Sequence, residues 1–320
     1  MIKEKHNNAT AGANLEIAGG LSRPISRRAA LRTGVLGGVG LAAASGVSSS
    51  LAASPKSGDY PPLKGRIKHS VVRWTFKQIP LDELCVAIKQ IGFSATSHVP
   101  PNDWPTLKKH GVDCSLCWGG IINISRGWAN ANEHEELVER CTKQIDFVAD
   151  AGYRNTVIFS GNRRGMDLEE ALTNAEVGLK RVLGHAEKRG VTLVMSMPNR
   201  IDFPDYLCSN PDWGVGLCKR LGSPNFGLLG DTYHMQLTRG DVIGTIRRFH
   251  EYFVYFHTGG VPGRCEIDDR QELNHTAVCR ALVDVGYKGY FSQEFIPTLK
   301  DPTNAELIAL LTKAIHICDV

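Results

Sequence analysis

Short apolar runs alternate with amphipathic stretches from Ile67 to the end of the chain. Eight of these runs have the length and the Val, Ile, Leu and Phe content of buried strands. They are Ile67–Trp74, Gly92–Ser97, Val112–Cys117, Asn155–Ser160, Val191–Ser196, Asn225–Asp231, Phe253–His257 and Gly289–Glu294. Between them, apolar positions recur every three or four residues, the spacing of one helix face. This predicts helices over Asp82–Ile91, Glu133–Ala151, Asp167–Lys188 and Asp241–Tyr252, with others over Pro211–Leu221, Thr276–Val285 and Thr303–Ile317. Eight strands with intervening helices predict an α/β fold in which a parallel sheet closes on itself, a (β/α)8 barrel. An open doubly wound sheet would carry a glycine-rich phosphate turn after the first strand. Trp74-Thr75-Phe76-Lys77 is not such a turn.

The alternation is missing from the first 53 residues. There Ser26-Arg27-Arg28-Ala29-Ala30-Leu31 precedes a Gly/Ala-rich weakly apolar run and a small-residue stretch ending near Ala53. Residues 1–53 are therefore expected to be a twin-arginine signal peptide and linker, and 54–320 a single barrel domain exported to the periplasm or another extracytoplasmic space. The apolar run is short for a membrane span, and no cysteine precedes Cys85, so no stable membrane anchor is expected. The chain carries 37 Lys and Arg against 33 Asp and Glu; six and two of these fall within 1–53, leaving 31 of each sign. A balanced domain argues against nucleic acid or an anionic membrane as partner. The nine cysteines are odd in number and irregularly spaced, which is not a disulfide framework. Cys114 and Cys117 have CxxC spacing inside a strand-like run and read as core.

In a closed parallel barrel the chemistry sits at the C-terminal ends of the strands. Strand six ends at Asp231, strand seven at His257 and strand eight at Glu294, with His234 and Arg264 close behind. One carboxylate at an apolar strand end is most simply a structural ion pair. Three polar ends on adjacent strands suggest a divalent-metal site, and oxygen and imidazole donors suit Mg2+, Mn2+ or Co2+. Trp74, at the end of strand one, is a candidate pocket wall. His69, His98, His110, His185 and His250 have no partner that the sequence alone assigns.

The stretches SVVRWTF, VIFSGNRRGM, GSPNFGLLGDTYHMQ, GDVIGTIR, FHTGGVPGR, QELNHTAVCRAL and GYFSQEFIPT resemble the hydroxypyruvate isomerase family, within the xylose-isomerase-like TIM barrels that also include sugar epimerases. The resemblance runs from about Ile67 to Thr298. It implies metal-assisted proton transfer between adjacent carbons of an α-hydroxy carbonyl substrate, hydroxypyruvate or a small sugar. It implies metal ligands at Ser196, Asp231, His257 and Glu294, with Glu294 and His234 moving the proton. Arg264 and His234 match residues that contact substrate, and Asp202 falls near them.

The sequence departs from that pattern at Ser196, where relatives carry a Glu that is both ligand and proton carrier. Serine is a poor ligand and no base near neutral pH. Relatives also have an acidic residue at about Ser97, and a His where Cys265 stands. The alternative is an exported sugar or sugar-acid binding protein that has lost isomerase activity. A metal-dependent endonuclease on the same barrel fits the balanced charge poorly. The oligomeric state is open, a homo-oligomer included.

Overall fold

The computed structural model describes residues 60–118 and 123–320, so the expected signal in 1–53 lies outside the described residues. Eight parallel strands form one sheet: β1 (Lys68–Val72), β2 (Ala95–Ser97), β3 (Asp113–Leu116), β4 (Asn155–Ile158), β5 (Thr192–Ser196), β6 (Phe226–Asp231), β7 (Phe253–Thr258) and β8 (Tyr290–Gln293). Their order is β3-β2-β1-β8-β7-β6-β5-β4, and a parallel bridge between Cys117 and Thr156 joins the two outer strands, closing the barrel. Each of the eight expected strands is present, within a few residues at its ends.

The helices form where the sequence places both an apolar stripe and its caps. In α4 (Leu168–Arg189), Ala171, Ala175, Leu179, Val182, Leu183 and Ala186 form the buried stripe. Asp167 accepts from the amides of Glu169 and Glu170 at one end, and Gly190 closes the other with φ +66°. A carboxylate satisfies the orphan N–H groups of the first turn, and a left-handed residue costs little when it is glycine. The other expected helices appear as α1 (Leu81–Ile91), α3 (His134–Asp150), α5 (Pro211–Leu221), α7 (Val242–Phe249), α8 (His275–Asp284) and α9 (Asn304–Cys318). Two helices go beyond the expected set, α2 (Trp104–His110) and α6 (Thr232–Thr238). Each has seven residues, barely two turns, too few for a periodic signal.

The first strand is shorter than its apolar run. It ends at Val72, and Arg73–Phe76 wind into a 3₁₀ turn that carries Trp74. The barrel interior beneath the C-terminal mouth is partly polar. Tyr255 is fully buried and its hydroxyl lies 2.7 Å from Ser115 Oγ, which is in turn 2.7 Å from Ser70 Oγ. This chain satisfies hydroxyls that burial would otherwise penalise. All nine cysteines are free thiols, and eight are buried, including Cys114 and Cys117. Among the described residues, no helix is long and apolar enough to cross a membrane.

His69, buried on β1, lies 3.5 Å from Asp319. Burial depresses its pKa to about 4, with Asp319 opposing. A folded pKa below the unfolded value of about 6.5 means that the unfolded chain binds more protons between those values. The stabilising contribution of a neutral His69 is complete above about pH 6.5 and is lost as pH falls toward about 4. We expect His69 alone to account for a loss of about 1–2 kcal/mol between about pH 7 and pH 5. Urea midpoints at both pH values should fall less steeply in His69→Gln than in the parent; equal slopes would remove His69 from the acid response.

Candidate active site

Asp231 is the hinge between strand and helix. It ends β6 and caps α6, its Oδ1 accepting from the amides of Tyr233 (2.9 Å) and His234 (3.3 Å). That cap starts a helix immediately at the barrel mouth and turns His234 inward, to 3.7 Å from Asp231 Oδ2. On the next strand His257 sits level with Asp231, and the backbone of Glu294 is fixed by its amide donating to Thr258 O at 2.8 Å. The side chains of Asp231, His234, His257 and Glu294 are all buried.

The loop after β7 brings a cation to them. Gly259 and Gly260 let it fold back on itself, with Gly260 N donating to Cys265 O at 2.8 Å. A Cβ on Gly260 would stand 2.6 Å from the Glu266 carbonyl, and one on Gly259 would stand 2.8 Å from Arg264 Cγ. The fold-back aims Arg264 over the mouth. Its Nη2 donates to Asp231 Oδ2 at 2.7 Å and to Glu294 Oε2. Glu294 Oε2 also lies 2.8 Å from His257 Nδ1, and its Oε1 accepts from Trp74 Nε1 at 3.0 Å. An ionised carboxylate only accepts, so His257 Nδ1 carries the proton of that contact. Burial pushes the Glu294 pKa up, but Arg264 and His257 together outweigh it and hold the carboxyl well below its usual range. Burial likewise works against the Arg264 charge, and Glu294 and Asp231 more than restore it.

Asn199 anchors the third side of the mouth. Its side-chain amide donates to His234 Nδ1 at 2.6 Å and to Asp202 Oδ2 at 2.9 Å, and its backbone amide reaches His234 Nδ1 at 3.3 Å. A ring nitrogen that accepts carries no proton, so the His234 proton is on Nε2, facing Asp231. Burial lowers its pKa to about 4, leaving the imidazole neutral near neutral pH. Asp202 also accepts from Tyr233 Oη at 2.8 Å. Trp74 and Tyr233 flank the guanidinium, with Arg264 Cζ 5.9 Å and 5.3 Å from their ring centres.

Asp231, His234, His257, Arg264, Glu294 and Trp74 thus meet in one network at one end of the barrel, and Asp202 joins it through Tyr233. Ser196 ends β5, where its register partner on β6 is Leu229, two residues before Asp231; its carbonyl accepts from Tyr206 Oη at 2.9 Å. The sequence reading misses Asn199, Tyr233 and above all His98. His98 follows β2 directly, is buried with φ +57°, and lies tilted 4.7 Å from the Trp118 ring and edge-on 5.3 Å from the His257 ring. The strand-end rule that selects Asp231 would also find His98, provided the residue just past Ser97 is inspected.

The donors present fit a divalent ion. At the mouth, His98 Nδ1 and His257 Nε2 are buried without a hydrogen-bond partner, as are ring nitrogens of His69, Trp128 and His275 elsewhere among the described residues. Among the described residues, the group within metal-binding range is His98, His257 and Glu294, whose ligand atoms lie within 4.8 Å of one another. Asp231 is close by, with both of its oxygens committed to α6 amides and to Arg264.

A closed eight-stranded barrel with this mouth defines a class, and comparison with known proteins gives the family. Residues 64–314 match the model of the xylose isomerase-like TIM barrel family, so the chain belongs to that family. It is 32% identical over 112 residues to the putative hydroxypyruvate isomerase of Homo sapiens, covering 35% of this chain and 40% of that protein. With the protein of the same name from Xenopus laevis it shares 28% identity over 250 residues, 71% and 88% of the two chains. The chain spans about two fifths of the length of the first curated relatives it matches. Among solved structures, an AP endonuclease, family 2, from Brucella melitensis superposes with a TM-score of 0.65 at 23% identity, covering 73% of this chain and 95% of that one. At that identity the likeness shows the fold alone. Sugar epimerases occur among both the curated relatives and the solved structures.

Proposed function

We propose that the protein is an isomerase-type enzyme acting on a small α-hydroxy carbonyl compound, a hydroxy-keto acid such as hydroxypyruvate or a short sugar. The observation that carries this reading is the buried Glu294 at a barrel mouth, held ionised by Arg264 and His257 and accepting from Trp74. Relatives named as hydroxypyruvate isomerase, 2-oxo-tetronate isomerase and D-psicose 3-epimerase support it. The names differ in substrate, yet each transformation can proceed by moving a proton next to a carbonyl.

In this scheme Glu294 takes the proton from the carbon beside the carbonyl. Arg264, which bridges two carboxylates, turns one N–H edge to a substrate carboxylate or oxyanion, and its release from Glu294 raises the basicity of that base. The neutral His234 donates Nε2–H to the developing enediolate oxygen, as a hydrogen-bond donor rather than a charged acid. Asn199 and Asp202 keep that ring in the donating tautomer. A divalent ion held by His257 and Glu294 would polarise the carbonyl when bound. Residues 1–53 would direct export, so that the reaction takes place outside the cytoplasm.

Ser196 favours a second reading, an exported sugar or sugar-acid binding protein, because the family resemblance implies a proton-carrying Glu at that position and serine is no base near neutral pH. One experiment separates the two. In D2O, NMR should show loss of the C–H signal beside the carbonyl of hydroxypyruvate or a short ketose, above the buffer rate. Saturable binding with no exchange for any α-hydroxy carbonyl compound would reject the enzyme in favour of the binder.

A further inference from the structure

We infer that Glu266 is a positioning residue of this site, holding Arg264 in register with Glu294 by stapling the loop after β7 to the segment after β8. The inference rests on the isomerase reading only for what misplacement does to the rate. Glu294 and Arg264 belong to different stretches of chain, so their contact is set by how those stretches meet. β7 and β8 pair as far as Thr258 and Gln293, and Glu294 N still donates to Thr258 O at 2.8 Å. Residues 259–263 then leave the ladder. Pairing resumes at Arg264, whose carbonyl accepts from Ile296 N at 2.7 Å. Two residues further along each stretch, the Glu266 carboxylate takes the next contact. Its Oε1 accepts from Thr298 N at 2.6 Å and its Oε2 from Thr298 Oγ1 at 2.8 Å.

The backbone of Arg264 needs such a hold. Its φ is +57°, a region that residues other than glycine seldom occupy. A conformation of that kind persists where its surroundings over-determine it. On one side the loop is closed by Gly260 N donating to Cys265 O at 2.8 Å, and on the other it is tied down by Ile296 and by the Glu266–Thr298 pair. From this backbone Arg264 Nη2 reaches both Asp231 and Glu294. Glu266 itself is 3% exposed, a costly place for a carboxylate. Its side-chain partners are Thr298 and, at 3.5 Å, the exposed Arg270. It therefore acts on the chemistry through Arg264.

A clamp that served the fold alone would lower stability when removed and leave the mouth as it was. Glu266 is two residues from Arg264, and Thr298 is four from Glu294, so freeing the two segments from each other moves the guanidinium relative to the carboxylate. Trp74 registers that movement. Its Nε1 donates to Glu294 Oε1 at 3.0 Å, and its ring centre lies 5.9 Å from Arg264 Cζ.

The test compares Glu266→Ala with Glu266→Gln in the full chain. Glutamine can still accept from Thr298 N and donate to Thr298 Oγ1, whereas alanine can do neither. In the nitrogen–proton NMR spectrum, the Trp74 indole resonance, assigned with Trp74→Phe, should move in Glu266→Ala and keep its parent position in Glu266→Gln. Deuterium exchange at the substrate carbon should fall by about 10²-fold in Glu266→Ala, the cost of roughly 1 Å of misplacement, on kcat rather than KM. Glu266→Gln should restore most of it. Thr298→Ala, which removes only the hydroxyl contact, should shift the same resonance by less, and it serves if Glu266→Ala fails to fold. Asn225→Ala controls for lost stability. It deletes the bond from Asn225 Nδ2 to Val191 O at the opposite ends of the strands, and should leave the indole resonance and the exchange unchanged. An indole resonance that stays put in Glu266→Ala and Thr298→Ala overturns the inference, as does a loss that Glu266→Gln fails to restore or that Asn225→Ala reproduces. If the parent shows no exchange, the isomerase reading fails by itself, and the indole resonance still decides the role of Glu266.

Discussion

Glu294→Gln is expected to reduce deuterium exchange at the substrate carbon by about 10²–10⁴-fold, the usual contribution of a positioned general base. The loss should fall on kcat more than on KM, because the substituted amide keeps the shape of the side chain and its oxygen can still accept from Trp74 Nε1. What disappears is the charge that Arg264 and His257 surround. The pH profile gives a second readout. A free carboxyl held well below its usual range by two cationic or donor neighbours leaves the ascending limb of kcat/KM at low pH. The variant should have no such limb, only a low flat rate. Retention of exchange within about tenfold of the parent would show that the base lies elsewhere, and His234 would be the next residue to replace.

Why Glu294 is visible in the sequence and His98 is not has a physical basis. Strand six and strand seven are apolar runs that stop at a carboxylate or an imidazole, so their ends are marked by the polarity change itself, while in strand eight Ser292 and Gln293 already precede the charged end at Glu294. The closed barrel follows from the same alternation, because strands buried on both faces read as unbroken apolar runs. Strand two is only Ala95–Ser97, a run of small residues, and its end carries no such mark. Trp74 is expected at the mouth for an incomplete reason. Its apolar run suggests a strand to the end, yet the 3₁₀ turn of Arg73–Phe76 is what swings the indole to Glu294. The role of Arg264 cannot be read from its type. The glycines that precede it permit the fold-back because they lack side chains, and only the closed loop shows that one guanidinium serves two strands. Asn199 is a loop residue beyond the end of β5, with no apolar run to mark it. Its hold on the His234 tautomer depends on α6, a helix too short to be anticipated.

The second large effect is on stability. Arg264→Met keeps the stem of the side chain and deletes the guanidinium, which Trp74 and Tyr233 flank. Asp231 and Glu294, 1% and 6% exposed, would then stand in the mouth without their shared cation. Removing one partner of a buried ion pair costs about 3–5 kcal/mol, most of it the uncompensated charge left behind. The Arg264 side chain is 15% exposed, so some water reaches the site, and we expect the lower end, about 3 kcal/mol. For a barrel of this size that is a fall in Tm of roughly 6–12 °C. The same variant is a sensitive test of what the pair of carboxylates can hold. With the guanidinium gone, the mouth loses its positive charge and Asp231 Oδ2 is freed. A divalent cation present at about a hundred times its Kd should return about 2.7 kcal/mol. Co2+ or Mn2+ should therefore raise the Tm of Arg264→Met by more than that of the parent. An unchanged Tm in the variant would mean that the ion pair contributes nothing net to folding. A lower Tm that no divalent cation restores would mean that Arg264 is a structural cation in a mouth unable to exchange it for a metal.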